Sequence, residues 1–121
     1  MKYLEIDSLV GKTLIKIERF GKNFPDHGDE IIFHCSDGEK YKMFHDQDCC
    51  ESVDIEDITG DLSDLIGSPI IRASEDVNEE LGDHSSTWTF YNIATAKGQV
   101  TIRWYGESNG FYSERVHFCL L

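Results

Sequence analysis

TWTFYNIATAKGQVTIRWYGESNGFYSERVHFC, residues 87–119, is the stretch that decides the fold of this chain. It divides into three runs, Thr87–Thr95, Gln99–Glu107 and Phe111–Cys119, separated by Ala96-Lys97-Gly98 and Ser108-Asn109-Gly110. In the middle run Val100, Ile102 and Trp104 alternate with Thr101, Arg103 and Tyr105. A period of two sends one set to each face of a strand. β-Branched and aromatic side chains, which suit a pleated surface, fill the runs. The pattern predicts an antiparallel meander of three strands, with Gly106 and Gly110 as turn residues.

Working outward, Glu30–Cys35 and Lys40–Phe44 form a predicted hairpin around Ser36-Asp37-Gly38-Glu39. Thr13–Phe20, Ser52–Ile58 and Pro69–Ser74 read as further strands. Ile6–Val10 and Leu62–Ile66 have the length of short helical turns, ended by Gly11 and Gly67. The segment GKNFPDHGD (21–29) and the polar stretch Asn78–Ser86 read as loops, the second as the most mobile segment. The expected class is mainly β (α+β): a twisted antiparallel sheet or open barrel of seven or eight strands with one or two short helices. With 121 residues and 40% hydrophobic content, the chain is expected to be a single domain, 1–121, with its own core.

Net charge is −12, from 23 acidic and 11 basic residues. Between Met43 and Ile71 there is no Lys or Arg, while Asp46, Asp48, Glu51, Asp54, Glu56, Asp57, Asp61 and Asp64 lie there. Such a field repels nucleic acid and draws basic protein partners. Plain solubility is the competing reading of the same charges. No run of about 18 apolar residues is present to span a bilayer. The opening MKYLEIDSLVGK lacks the apolar core of a signal peptide, so a cytoplasmic location is expected. Reduced thiols at Cys35, Cys49, Cys50 and Cys119 follow from that location.

His45, Asp46, Asp48, Cys49, Cys50 and Glu51 crowd into one short segment. His45, Cys49 and Cys50 can supply three of the four ligands of a tetrahedral zinc ion, with Asp48, Glu51 or a distant His84 as the fourth. The spacing H-x₃-C-C is not a standard zinc-finger pattern. The bland alternative leaves one cysteine buried, the other lining a loop, and His45 merely hydrogen-bonded. A nucleophilic pair of Cys50 with His45 or His84 is disfavoured, because a thiolate needs electropositive surroundings. No glycine-rich phosphate loop precedes a helix, and no enzymatic activity is expected. Arg103, Tyr105, Asn109 and Tyr112 form an alternative, nucleotide-binding set, through stacking and phosphate pairing. Against it stands the ordinary use of strand aromatics as core and cross-strand filler.

The runs LVGKTL (9–14), FHDQDCCESVDIEDITGDLSDLIGSPI (44–70) and STWTFYNIATAKGQVTIRWYGESNGFYSE (86–114) resemble a small family of uncharacterised proteins of phages and prophages. By size, acidity and the His/Cys cluster the chain is also similar to phage anti-CRISPR proteins that inhibit the type II-A Cas nuclease, some of which hold a metal. The first resemblance covers His45, Gln47, Asp48, Cys49, Cys50 and Glu51, and also Trp88, Tyr91, Arg103, Trp104, Tyr105, Asn109 and Tyr112. It leaves out His34, Cys35 and Cys119. Together the resemblances imply a non-catalytic inhibitor of a CRISPR effector nuclease, carrying a structural zinc. Its contact residues would be Asp46, Glu51, Asp54, Glu56, Asp57, Asp61 and Asp64, set against a channel lined with Lys and Arg for phosphates. The alternative is a sponge for a nucleotide second messenger of bacterial defence.

Overall fold

The alternating runs become strands of two antiparallel sheets. The computed structural model describes residues 2–21 and 28–121, so most of the loop expected at 21–29 lies outside the described residues. The described residues form nine strands: β1 (Lys2–Tyr3), β2 (Leu14–Phe20), β3 (Glu30–Cys35), β4 (Lys40–Phe44), β5 (Ser52–Thr59), β6 (Arg72–Glu80), β7 (Ser85–Thr95), β8 (Gly98–Ser108) and β9 (His117–Leu120). The helical turns are two 3-10 turns, Ile6–Leu9 and Leu62–Leu65. One sheet has the order β1-β9-β4-β3-β2 and the other β5-β8-β7-β6. The mainly β expectation holds, as two sheets and without a closed barrel. No helix among the described residues is long and apolar enough to cross a membrane.

The core forms where the two apolar faces meet. Phe33, Tyr41, Met43 and Phe118 come from the first sheet, and Ile93, Val100, Ile102 and Trp104 from the second, in one buried cluster. Trp104 is wholly enclosed, and its indole N–H donates to Met43 Sδ at 3.3 Å across the gap. Tyr41 stacks on Phe118 with ring centroids 5.3 Å apart. Truncating one such aromatic costs about 3–5 kcal/mol. The alternation read in β8 is confirmed: Val100, Ile102 and Trp104 are buried, whereas Thr101, Arg103 and Tyr105 are half-buried on the outer face.

Three expectations are corrected. Phe111–Cys119 is not the third strand of a meander. β8 already pairs with β7 on one side and β5 on the other, so no edge is left for it. The chain turns at Ser108–Gly110 and returns to the first sheet, where β9 lies between β1 and β4. Second, much of the expected loop Asn78–Ser86 is strand: β6 runs to Glu80 and pairs with β7 up to Glu80↔Ser86. Third, Gly106 lies inside β8 and is not a turn residue. A Cβ there would meet Glu114 Cβ at 2.9 Å and Val53 Cγ2 at 3.1 Å, so glycine is what lets the returning segment lie against the sheet.

Candidate functional site

Strands β1–β4 and β9 build one sheet and β5–β8 the other, so the chain crosses between sheets twice. Residues 45–51 carry it out and residues 109–116 bring it back. The His/Asp/Cys/Glu cluster is the outward crossing, and its hub is Glu51, whose side chain is fully enclosed. Glu51 Oε2 accepts from the Asp48 amide at 2.8 Å and from His45 Nε2 at 2.7 Å, and Oε1 accepts from the Cys49 amide at 2.9 Å. Gln47 Nε2 donates to the Glu51 carbonyl at 2.6 Å. Burial alone would raise the carboxyl's pKa. The Asp48 and Cys49 amides and the His45 ring outweigh burial and hold it at about 2.

His45 reaches the returning crossing as well, with Nδ1 2.6 Å from the Arg115 carbonyl. Carbonyl and ionised carboxylate both only accept, so the two bonds together require both ring nitrogens to donate. The pair with Glu51 is then an ion pair, with the His45 side chain only 3% exposed. The neighbouring His117 has the opposite role: its Nδ1 accepts from the Asp46 amide at 3.2 Å. Burial, then the charge on His45, lower its pKa and favour that neutral form. A carboxylate, an imidazolium and a neutral imidazole thus clasp the two crossings together.

This use of the side chains differs from the expected zinc set. Both nitrogens of His45 are occupied, Cys49 and Cys50 are joined to each other as a disulfide, and Asp48 contributes its backbone amide. His84 lies beside Glu107 at 3.1 Å. Among the described residues no three His, Cys, Asp or Glu side chains converge as a metal site. The disulfide also corrects the expectation of four reduced thiols, while Cys35 and Cys119 are buried outside any disulfide.

Of the expected contact carboxylates, Glu51 is spent inside the clasp and cannot meet a partner. Asp54, Glu56 and Asp57 lie on β5, an edge strand, and Asp61 and Asp64 follow it. Asp61 caps the second 3-10 turn by accepting from the Ser63 amide and hydroxyl, which lower its pKa. Glu56 lies 2.7 Å from Arg103 Nε, close enough to pair charges although that buried N–H is not aimed for a hydrogen bond. Asp46 sits apart, near the Tyr3 hydroxyl at 3.4 Å.

The alternative nucleotide set is divided. Arg103 and Tyr105 share the outer face of β8, where Tyr105 packs on Trp88 at 5.0 Å between centroids. Tyr112 lines a cavity on the opposite, inner face, and the Asn109 side chain accepts from the Phe111 amide within its turn.

That inner cavity, of about 470 Å³, was not foreseen. Past the core, the inner face of β7 changes from Ile93 and Tyr91 to Thr89, Thr87 and Ser85. Glu114, on the returning crossing, is buried against these hydroxyls. It accepts from Thr87 Oγ1 at 2.7 Å and from Ser108 Oγ. Burial raises its pKa, but the hydroxyls of Ser108, Thr87 and Ser85 prevail and leave it lowered. The alternation Ser85, Thr87, Thr89 was the available signal, hidden because threonine is also an ordinary strand former.

Fold and site define an acidic two-sheet β protein whose crossings are clasped by a buried His–Glu pair beside a hydroxyl-lined trough. Residues 7–118 match the domain of unknown function DUF7448, and the chain belongs to that family. No curated protein and no solved structure matches it.

Proposed function

We propose that this is a non-catalytic binding protein whose acidic edge docks on a basic surface of a protein partner. The observation that carries the reading is the row Asp54, Glu56 and Asp57 on edge strand β5, continued by Asp61 and Asp64. Glu56, Asp57 and Asp61 are exposed, and of the five only Glu56 pairs with a cation among the described residues. The row therefore projects net negative charge, which speeds and orients the approach of a Lys- and Arg-rich surface. The same charges discourage edge-to-edge pairing with a second copy. The Glu51 clasp fixes the segment leading into β5, which reduces the ordering cost of docking.

In its specific form, suggested by the resemblance, the partner is a guide-loaded type II nuclease and the docked surface its DNA channel. Plasmid cleavage by such a nuclease, with and without excess protein, tests this. Dose-dependent loss of cleavage is expected, weakening as salt rises and falling about tenfold or more in the triple variant Asp54→Lys, Glu56→Lys, Asp57→Lys. Full cleavage at excess, across several such nucleases, sinks the nuclease form. Inhibition indifferent to both salt and charge reversal sinks the acidic edge.

A further inference from the structure

The two sheets have four edge strands, β1, β2, β5 and β6. Three of them are guarded against the addition of another strand. β1 is only two residues long. In β2 the register skips a residue between Leu14 and Lys16, and in β5 between Ile55 and Asp57. Short strands and bulges of this kind both hinder edge pairing. β6 has neither guard. Its nine residues contain no proline and pair with β7 without a shift, from Arg72↔Ala94 to Glu80↔Ser86. In an antiparallel pair every second residue turns its N–H and C=O away from its partner strand. Among the described residues, no backbone hydrogen bond reaches Asp76–Glu80 from any element but β7.

The side chains along this edge say what fits it. Val77, Glu79 and Leu81 border the trough on the inner face, and Asp76, Asn78 and Glu80 alternate with them on the other. All six are exposed, Val77 and Leu81 by 46% and 81%. Asp76 accepts from Asn92 Nδ2 at 3.4 Å, but no Lys or Arg among the described residues pairs with Asp76, Glu79 or Glu80. The trough itself is acidic, with Glu75, Glu79 and Glu114 on its walls against Arg115. A second copy is a poor occupant. Antiparallel pairing centred on Val77 would set Glu75 against Glu79, and pairing centred on Asn78 would set Asp76 against Glu80. Like charges directly opposite one another destabilise a strand pair, whereas opposite charges support it.

We propose that β6 accepts an extended basic segment of another protein as an added strand of its sheet. Lysine or arginine side chains of that segment lie beside Asp76, Glu79 and Glu80, and apolar ones beside Val77 and Leu81. Main-chain bonds to the open edge supply the affinity, and the alternation of basic and apolar side chains supplies the specificity. The β5 edge stands on the opposite side of the same sheet and plays no part in this inference.

The test is amide NMR and hydrogen exchange on the whole protein with the end-blocked peptides TKVTKKVT and TVKKTVKT, one for each strand direction, at up to about 1 mM. At least one of them should shift the amides of β6 and slow exchange about fivefold or more at every second residue from Asp76 to Glu80. The acidic counterparts TEVTEEVT and TVEETVET should bind about tenfold more weakly or worse. Glu79→Lys, at an exposed position, should weaken the basic peptide about fivefold and strengthen the acidic one. N-methylation of the binding peptide at alternate residues should abolish binding in one phase and spare it in the other, because only one set of amides faces β6. The inference is overturned if neither basic peptide perturbs β6, if the acidic peptides bind equally well, or if both methylation phases are harmless, which would mean electrostatic adhesion alone. Slowed exchange of residues 76–80 on raising the protein concentration without peptide would overturn it too, by making a second copy the occupant.

Discussion

Replacing Glu51 by Gln changes almost no volume, so its effect isolates the charge at the centre of the clasp. The two carboxylate oxygens accept from His45 Nε2 and from the amides of Asp48 and Cys49. The amide side chain offers one acceptor and turns an NH₂ toward the remaining donors. At least one charge-assisted bond is lost, worth about 1.5–3 kcal/mol. The enclosed imidazolium also loses its counter-charge, which brings the expected destabilisation to about 3–5 kcal/mol at neutral pH. The depressed carboxyl gives a second figure for the same bonds. The carboxyl is lowered from 4.5 to about 2. A depressed carboxyl stabilises fully above its unfolded pKa and loses that contribution as pH falls through the folded one. For Glu51 this amounts to about 3 kcal/mol, present above pH 4.5 and lost toward pH 2. Urea denaturation of both proteins at about pH 7 and about pH 3 is the assay. The gap between them should be wide at the higher pH and narrower at the lower. A variant within about 1 kcal/mol of the parent at neutral pH, or a gap that does not narrow in acid, would refute the argument.

Two further outcomes follow from the same geometry. Gly106→Ala should cost about 1–3 kcal/mol, because the added methyl meets Glu114 Cβ at 2.9 Å and Val53 Cγ2 at 3.1 Å. Thermal unfolding measures it, and an unchanged melting temperature would show that the returning segment can shift freely. The double variant Cys49→Ser, Cys50→Ser should change stability by less than about 1 kcal/mol, since both residues are exposed and the bond to Glu51 uses the Cys49 backbone amide. A loss comparable to that of Glu51→Gln, or chelator-sensitive melting in the parent protein, would instead mean that the sulfurs carry the loop.

Val100, Ile102 and Trp104 announced the core face of β8 because each meets the opposite sheet, and burial writes alternation into a sequence. β6 carried no such mark. Its residues 74–80 face water along an open edge, so Ser, Glu, Asp and Asn suffice and the stretch resembles a loop. The destination of β9 was hidden for a different reason. It depends on β5 having taken the free side of β8, a pairing between residues some fifty positions apart. In the clasp the residue types were legible and their purpose was not. Imidazole, thiol and carboxylate suit a zinc ion, but the same imidazole and carboxylate also suit each other. The deciding partner of His45 is a backbone carbonyl, Arg115, which no side-chain pattern records. The trough escaped notice because its carboxylate, Glu114, reads as one more surface acid among 23.

The clasp also bears on how long the folded protein lasts. His45 and Arg115 stand 70 residues apart in the chain, and Asp46 and His117 stand 71 apart. Joining such distant points sacrifices loop entropy before any contact rewards it, so these bonds form only once both sheets are in place. Interactions absent from the folding transition state act on the unfolding rate and leave the folding rate almost alone. Glu51→Gln should therefore move the unfolding limb of the chevron, and a shifted folding limb would contradict this order of events. Seven residues between β4 and β5 then act as a latch: they do not hasten the fold's arrival, but they govern its departure.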